Sequence, residues 1–177
     1  GINAGLTPYH IAAGFGQLEI CKLFLETLAD KNPFDTLYIN TPLHQAAYTG
    51  HLEVCKLILE SIEDKNPVAI DGSVPLHCAA FGGHLKILRL FLRNGVDRRS
   101  ISNGGTPIQI AASYGHLRSC LFLMGNFQDI VSFFRGIKIL YNNSTKAKML
   151  VNTLILLFGA TVIMVIISVF FHYGNFI

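Results

Sequence analysis

The chain has 177 residues, of which 51% are hydrophobic and only 14% charged, which is greasy for a soluble domain and directs attention to an apolar segment. The formal charge of +3 hides an asymmetry: residues 1–71 carry four Lys/Arg against nine Asp/Glu, residues 72–148 carry ten against two, and residues 149–177 carry none. A basic second half suits an acidic partner or an anionic membrane surface better than nucleic acid, and four cysteines without a CxxC pair do not make a disulfide framework.

The opening GINAGLTPYH has no initiator Met, no charged leader and no apolar core, so no signal peptide is expected and residue 1 is not expected to be the true start. From Gly5 the chain then repeats itself. GLTPYHIAAGFGQLEICKLFLE is followed by INTPLHQAAYTGHLEVCKLILE from Ile39, GSVPLHCAAFGGHLKILRLFLR from Gly72 and GGTPIQIAASYGHLRSCLFLMG from Gly104. The slots of Thr7, Thr41, Val74 and Thr106 are 34, 33 and 32 residues apart, and each is followed nine residues later by Gly16, Gly50, Gly83 or Gly115. Length differences therefore fall outside the helical cores.

Each unit predicts two helices. Thr-Pro or its equivalent (Thr7-Pro8, Thr41-Pro42, Val74-Pro75, Thr106-Pro107) starts the first, with Thr as cap and Pro in the first turn. The pairs Ala12/Ala13, Ala46/Ala47, Ala79/Ala80 and Ala111/Ala112 let neighbouring helices approach closely, and the Gly then ends the helix. The second helix is amphipathic, with Leu18, Cys21, Leu25 and Leu28 on one face in the first unit and Leu52, Cys55, Leu59 and Ile62 in the second. Pro33 and Pro67, in the repeated KNP, are expected to stop it.

The stretch TPLHQAAYTGHLEVCKLILE and its three counterparts closely resemble the ankyrin repeat, over about residues 1–125 in units of about 5–38, 39–71, 72–103 and 104–125. The resemblance implies an all-α ankyrin-repeat solenoid of helix-turn-helix units with β-hairpin fingers. Stability then comes from stacking, since one unit cannot bury its apolar face alone. The sequence departs from the pattern at Ile39 in the finger-Gly slot, at Val74 for Thr, and in the fourth unit at Gln109, Leu121 and Gly125, the last expected inside a helix, so the solenoid is expected to fray or end there.

Residues that look chemical fall into repeat slots. His10, His44 and His77 share one slot, and the resemblance implies that they hydrogen-bond backbone between neighbouring fingers. His51, His84 and His116 begin the second helices. Slots a repeat apart do not converge on one ion, so no metal site is expected. Cys21, Cys55 and Cys120 share a slot that the third unit fills with Leu88, which marks a compact apolar position and not a reactive thiolate. Glu19, Glu26, Glu53 and Glu60 flank Lys22 and Lys56 as solvated helix pairs. With no P-loop, GxSxG, HExxH or dinucleotide fingerprint, no catalytic residue, cofactor or small-molecule substrate is expected.

A protein-binding surface is the expectation instead. One aromatic follows each Ala pair (Phe15, Tyr48, Phe81, Tyr114) at the end of the first helix, which in the family borders a concave groove; packing sideways onto the next repeat is the competing role. The finger tips, Asp35 to Ile39, Val68 to Asp71 and Ser100 to Asn103, are the other candidate contacts, with Arg98 and Arg99 suited to a carboxylate or phosphate.

Past residue 125, NFQDIVSFFRGIKIL places Ile130, Phe133, Phe134, Ile137 and Leu140 at helical spacing, an amphipathic and linker segment over 126–148. Met149 to Phe171 is 23 residues without a charge. At about 1.5 Å per residue it spans roughly 34 Å, enough for a hydrocarbon core of about 30 Å. It is expected to be a single-pass transmembrane helix followed by a short tail, 172–177. Lys146 and Lys148, with Arg135 and Lys138 farther out, orient the repeats to the cytoplasm. The expectation is thus a membrane-anchored interaction scaffold with protein partners. The alternatives are the cytosolic ankyrin portion of a larger membrane protein such as a channel, or a soluble cytoplasmic adaptor whose tail is an artefact of the gene model.

Overall fold

The computed structural model describes residues 5–38 and 40–125; the segments 126–148, 149–171 and 172–177, including the expected amphipathic and membrane-spanning stretches, lie outside the described residues. Among the described residues no helix is long and apolar enough to cross a membrane.

Thr or Val followed by Pro opens each inner helix: α1 (Pro8–Gly14), α3 (Pro42–Thr49), α5 (Pro75–Phe81) and α7 (Pro107–Ser113). The amphipathic runs form the outer helices α2 (Leu18–Thr27), α4 (Leu52–Ser61), α6 (Leu85–Arg93) and α8 (Leu117–Leu123). Each inner helix packs on the inner helix of the next unit and each outer helix on the next outer one, giving two layers. The Ala pairs lie between inner helices, with Ala13, Ala46, Ala47, Ala79, Ala80, Ala111 and Ala112 fully buried. Larger side chains such as Leu43, Ile58, Leu76 and Phe91 fill the space between the layers, each contributing about 1.5–3 kcal/mol on burial.

Burial in one unit depends on the unit before it. Val54 and Ile87 are each 1% exposed, whereas Ile20, in the same slot of the first unit, is 47% exposed. This is nearest-neighbour stacking expressed residue by residue. Cys21, Cys55 and Cys120 are buried with Leu88 in their shared slot. Burial pushes the Cys21 thiol up to about 11 and that of Cys120 to about 12, so neither is poised as a thiolate.

Three sequence expectations are corrected. The fingers are not strand-paired hairpins among the described residues; only an isolated bridge joins Ser102 and Gly105. Each finger is a turn closed by one or two backbone bonds, Asp35 N–H to Asn40 O (2.7 Å) in the first, Ala69 N–H to Ser73 O (2.8 Å) and Gly72 N–H to Ala69 O (3.0 Å) in the second, and Ser102 N–H to Gly105 O (3.1 Å) with Gly105 N–H to Ser102 O (2.9 Å) in the third, and is too short for a ladder. The outer helices do not run to Pro33 and Pro67. α2 and α4 end at Thr27 and Ser61, where Lys31 donates back to the carbonyl of Leu25 and Lys65 to those of Leu59 and Ile62. A cation on the last carbonyls satisfies them and complements the helix dipole, so the turn begins well before Pro. Finally, α8 ends at Leu123, and Gly125 lies beyond the helix.

The histidines of the inner helices link units. The Nδ1 atoms of His10, His44 and His77 accept the backbone N–H of Thr7 (3.2 Å), Thr41 (3.1 Å) and Val74 (3.1 Å). An accepting Nδ1 leaves the proton on Nε2, which donates to the next finger at Asn40 O (3.0 Å), Ser73 O (3.2 Å) and Ser100 O (3.1 Å). Burial lowers the pKa of all three against the opposing pull of carbonyls and of Asp35 or Asp71, and takes His44 down to about 4. In α7, Gln109 offers its amide oxygen to Thr106 N–H at 2.8 Å instead.

A pH dependence follows. An unfolded His44 with its ordinary pKa of 6.5 takes up a proton that the folded ring refuses until about pH 4. Stability from this group is complete above about pH 7 and is lost as pH falls through that window. Urea unfolding across a pH series is expected to show the decline, and His44→Gln to make it shallower while His10 and His77 keep their share. The same variant costs about 1–2 kcal/mol at neutral pH through the lost bond to the next finger.

Candidate protein-binding surface

The expected binding aromatics end the inner helices. Phe15 is 73% exposed, Tyr48 49% and Tyr114 55%, while Phe81 is half-buried between its neighbours. The Tyr48 and Phe81 rings stack with centroids 5.1 Å apart at 26°, and Phe81 meets Tyr114 at 4.1 Å and 50°. Sideways packing and exposure, posed as competing roles in the sequence, coexist here: three rings from consecutive units touch one another and still present surface to solvent.

What fixes this row was not legible in the sequence. His51, His84 and His116 stand just before the outer helices, but their rings make no capping bond to their own helix. Each Nε2–H donates instead to the preceding unit: His51 to Gly14 O (3.1 Å), His84 to Tyr48 O (3.1 Å) and His116 to Phe81 O (2.8 Å). The residues that carry two of the rings are thus held by their own carbonyls. The ring lies over the helix-ending glycine of the preceding unit. A Cβ on Gly50, whose φ is +92°, would sit 2.6 Å from Cε1 of His84. Gly16 and Gly83 make the same approach to His51 and His116. At Gly115, φ is +76° and a Cβ would meet nothing within 4 Å.

The remaining candidate residues lie elsewhere. Arg98 and Arg99 are in the third finger, apart from the aromatic row; Arg98 is half-buried and Arg99 exposed, its N–H donating to Asp97 Oδ1 at 2.9 Å. Thr7, Pro8, His10, Thr41, Pro42, His44, Pro75, His77, Thr106 and Pro107 all lie at inner-helix starts, where they shape the frame and do not meet the rings. Lys22 and Lys56 pair with Glu19 (2.7 Å) and Glu53 (2.8 Å) on the outer helices. Exposed pairs of this kind contribute little. Among the described residues no cluster of His, Cys, Asp and Glu has the arrangement to hold a metal ion.

The sequence matches the family model described as ankyrin repeats (3 copies) over residues 1–69 and again over 61–133. The chain belongs to the ankyrin-repeat family, whose members generally serve as interaction scaffolds. No curated protein matches the sequence.

Gly50→Ala and Gly115→Ala separate backbone strain from the histidine contact. Gly115→Ala is expected to cost about 1–2 kcal/mol, the strain of a left-handed Ala. Gly50→Ala is expected to cost about 1 kcal/mol more, because His84 must also leave the Tyr48 carbonyl. Denaturant unfolding of the two variants side by side checks this, and equal losses would remove the histidine from the account.

Proposed function

We propose that this chain is a non-catalytic protein-interaction scaffold that docks a protein segment along the row Phe15, Tyr48, Phe81 and Tyr114. The stacked yet exposed rings of Tyr48, Phe81 and Tyr114 carry this reading. Rigid aromatic side chains bury large area at small cost in entropy, which is why they serve as anchors. Their backbone is held by the histidines of the next unit, so little ordering remains to be done on binding. Arg98 and Arg99 on the third finger offer a second contact for an acidic part of the partner.

The reading includes a membrane anchor. The uncharged run Met149–Phe171 has the length of a bilayer span, and the basic residues before it orient the repeats to the cytoplasm. The scaffold then presents its partner at a membrane.

Two measurements test these parts separately. Tyr48→Ala with Phe81→Ala is expected to weaken a captured partner about tenfold or more while leaving the circular dichroism spectrum unchanged; undiminished affinity removes the rings from the interface. Membrane fractionation of the full chain with alkaline extraction is expected to leave it in the pellet, and release into the wash contradicts the anchor.

A further inference from the structure

We infer that the row Tyr48, Phe81 and Tyr114 binds an uncharged, proline-rich segment in the polyproline II conformation, a reading that rests on the docking role proposed above. The charge of the row, its spare hydrogen-bonding capacity and its spacing together define the partner.

The inner layer carries no charged residue. Helices α1, α3, α5 and α7 contain no Asp, Glu, Lys or Arg. Neither do the links 15–17, 50–51, 82–84 and 114–116 that lead to the outer helices. An ionised side chain laid along this surface loses water and gains no opposite charge, so the partner is neutral where it meets the rings.

The backbone along the row is already engaged. The carbonyls of Gly14, Tyr48 and Phe81 accept from the histidines of the next unit. The N–H groups at the helix ends turn inward: those of Gly50 and His51 donate to Ala46 O (3.0 and 2.9 Å), that of Gly82 to Cys78 O (3.1 Å) and that of Tyr114 to Ile110 O (3.1 Å). An extended strand pairs with a free backbone edge and finds these groups taken. A polyproline II segment needs no such edge, because its backbone stays solvated and its prolines have no N–H to satisfy. Its carbonyls can accept from the phenol hydroxyls of Tyr48 and Tyr114, which flank Phe81.

Phe81 lies between Tyr48 and Tyr114 with centroids 5.1 and 4.1 Å away. The three rings form one continuous aromatic strip, with no gap to receive the anchoring side chains of a docked helix. The outer rings are thus at most about 9 Å apart, and a polyproline II helix repeats every three residues, roughly 9 Å. Residues i and i+3 of the segment therefore fall on Tyr48 and Tyr114, with the turn between them over Phe81. A preformed proline helix loses little freedom on docking against rings that are themselves held.

The probe is a capped dodecaproline peptide, titrated into the full-length chain in mild detergent while the Tyr and Phe ring protons are followed by NMR. Capped peptides of equal length, an uncharged helix of Ala, Leu and Gln and an uncharged strand of Thr and Val, are the comparisons. The proline peptide alone is expected to move the ring signals of Tyr48, Phe81 and Tyr114, with an affinity that salt does not change. Tyr48→Phe with Tyr114→Phe keeps the strip and is expected to weaken that peptide about fivefold by removing both donors. Tyr48→Ala with Phe81→Ala is expected to weaken it about tenfold or more. Ring signals moved as strongly by the helix or the strand peptide overturn the inference and leave the row as a docking surface. Silence from all three peptides also overturns it, while the response of a captured partner to Tyr48→Ala with Phe81→Ala decides the docking role separately. Proline binding that leaves the rings unmoved, or that neither double variant weakens, lies elsewhere on the chain and overturns the inference too.

Discussion

The solenoid depends on a hydrogen bond that leaves one unit and ends in the next. His10, His44 and His77 each take a backbone N–H on Nδ1 at the start of an inner helix and hand a proton from Nε2 to a carbonyl of the following finger. Apolar stacking supplies most of the stabilisation, but it is non-directional and leaves register unspecified. The imidazole specifies register, because only a ring that accepts on one nitrogen and donates on the other satisfies both groups. Burial supports this by keeping the ring neutral. The fourth unit has Gln109 in the slot, and its amide oxygen serves the same helix start.

A second set of histidines works in the opposite direction and shapes the surface. His51, His84 and His116 reach back to the carbonyls that end the preceding inner helices, with a glycine beneath each ring. Tyr48 and Phe81 carry two of those carbonyls and two of the stacked rings. The frame and the candidate binding row are therefore one construction, and a change at Gly50 or His84 reaches the surface without touching an aromatic. The histidines and glycines hold the aromatic row in place.

Much of this was legible in the sequence and some was not. The repeat period, the Thr-Pro starts, the Ala pairs and the glycine breaks recur in register, and each has a local cause that spacing reveals. The reach of His84 to Tyr48 spans 36 residues and has no local signature beyond the recurrence of His in that slot. Pro33 and Pro67 read as helix stops, yet the helices end earlier, where Lys31 and Lys65 fold back onto carbonyls, a contact that side-chain type alone does not announce. Exposed tips such as Ile70 and Ile101 run against the rule that apolar residues fill cores, and only their place in a turn shows otherwise.

The most direct measurement is the tautomeric state of His10, His44 and His77, read from two- and three-bond proton–nitrogen correlations in the imidazole rings at neutral pH. The account predicts three neutral rings, each with an unprotonated Nδ1 and a protonated Nε2. Rings protonated on Nδ1, or imidazolium rings at that pH, would contradict it, because the N–H that opens each inner helix would then face a donor.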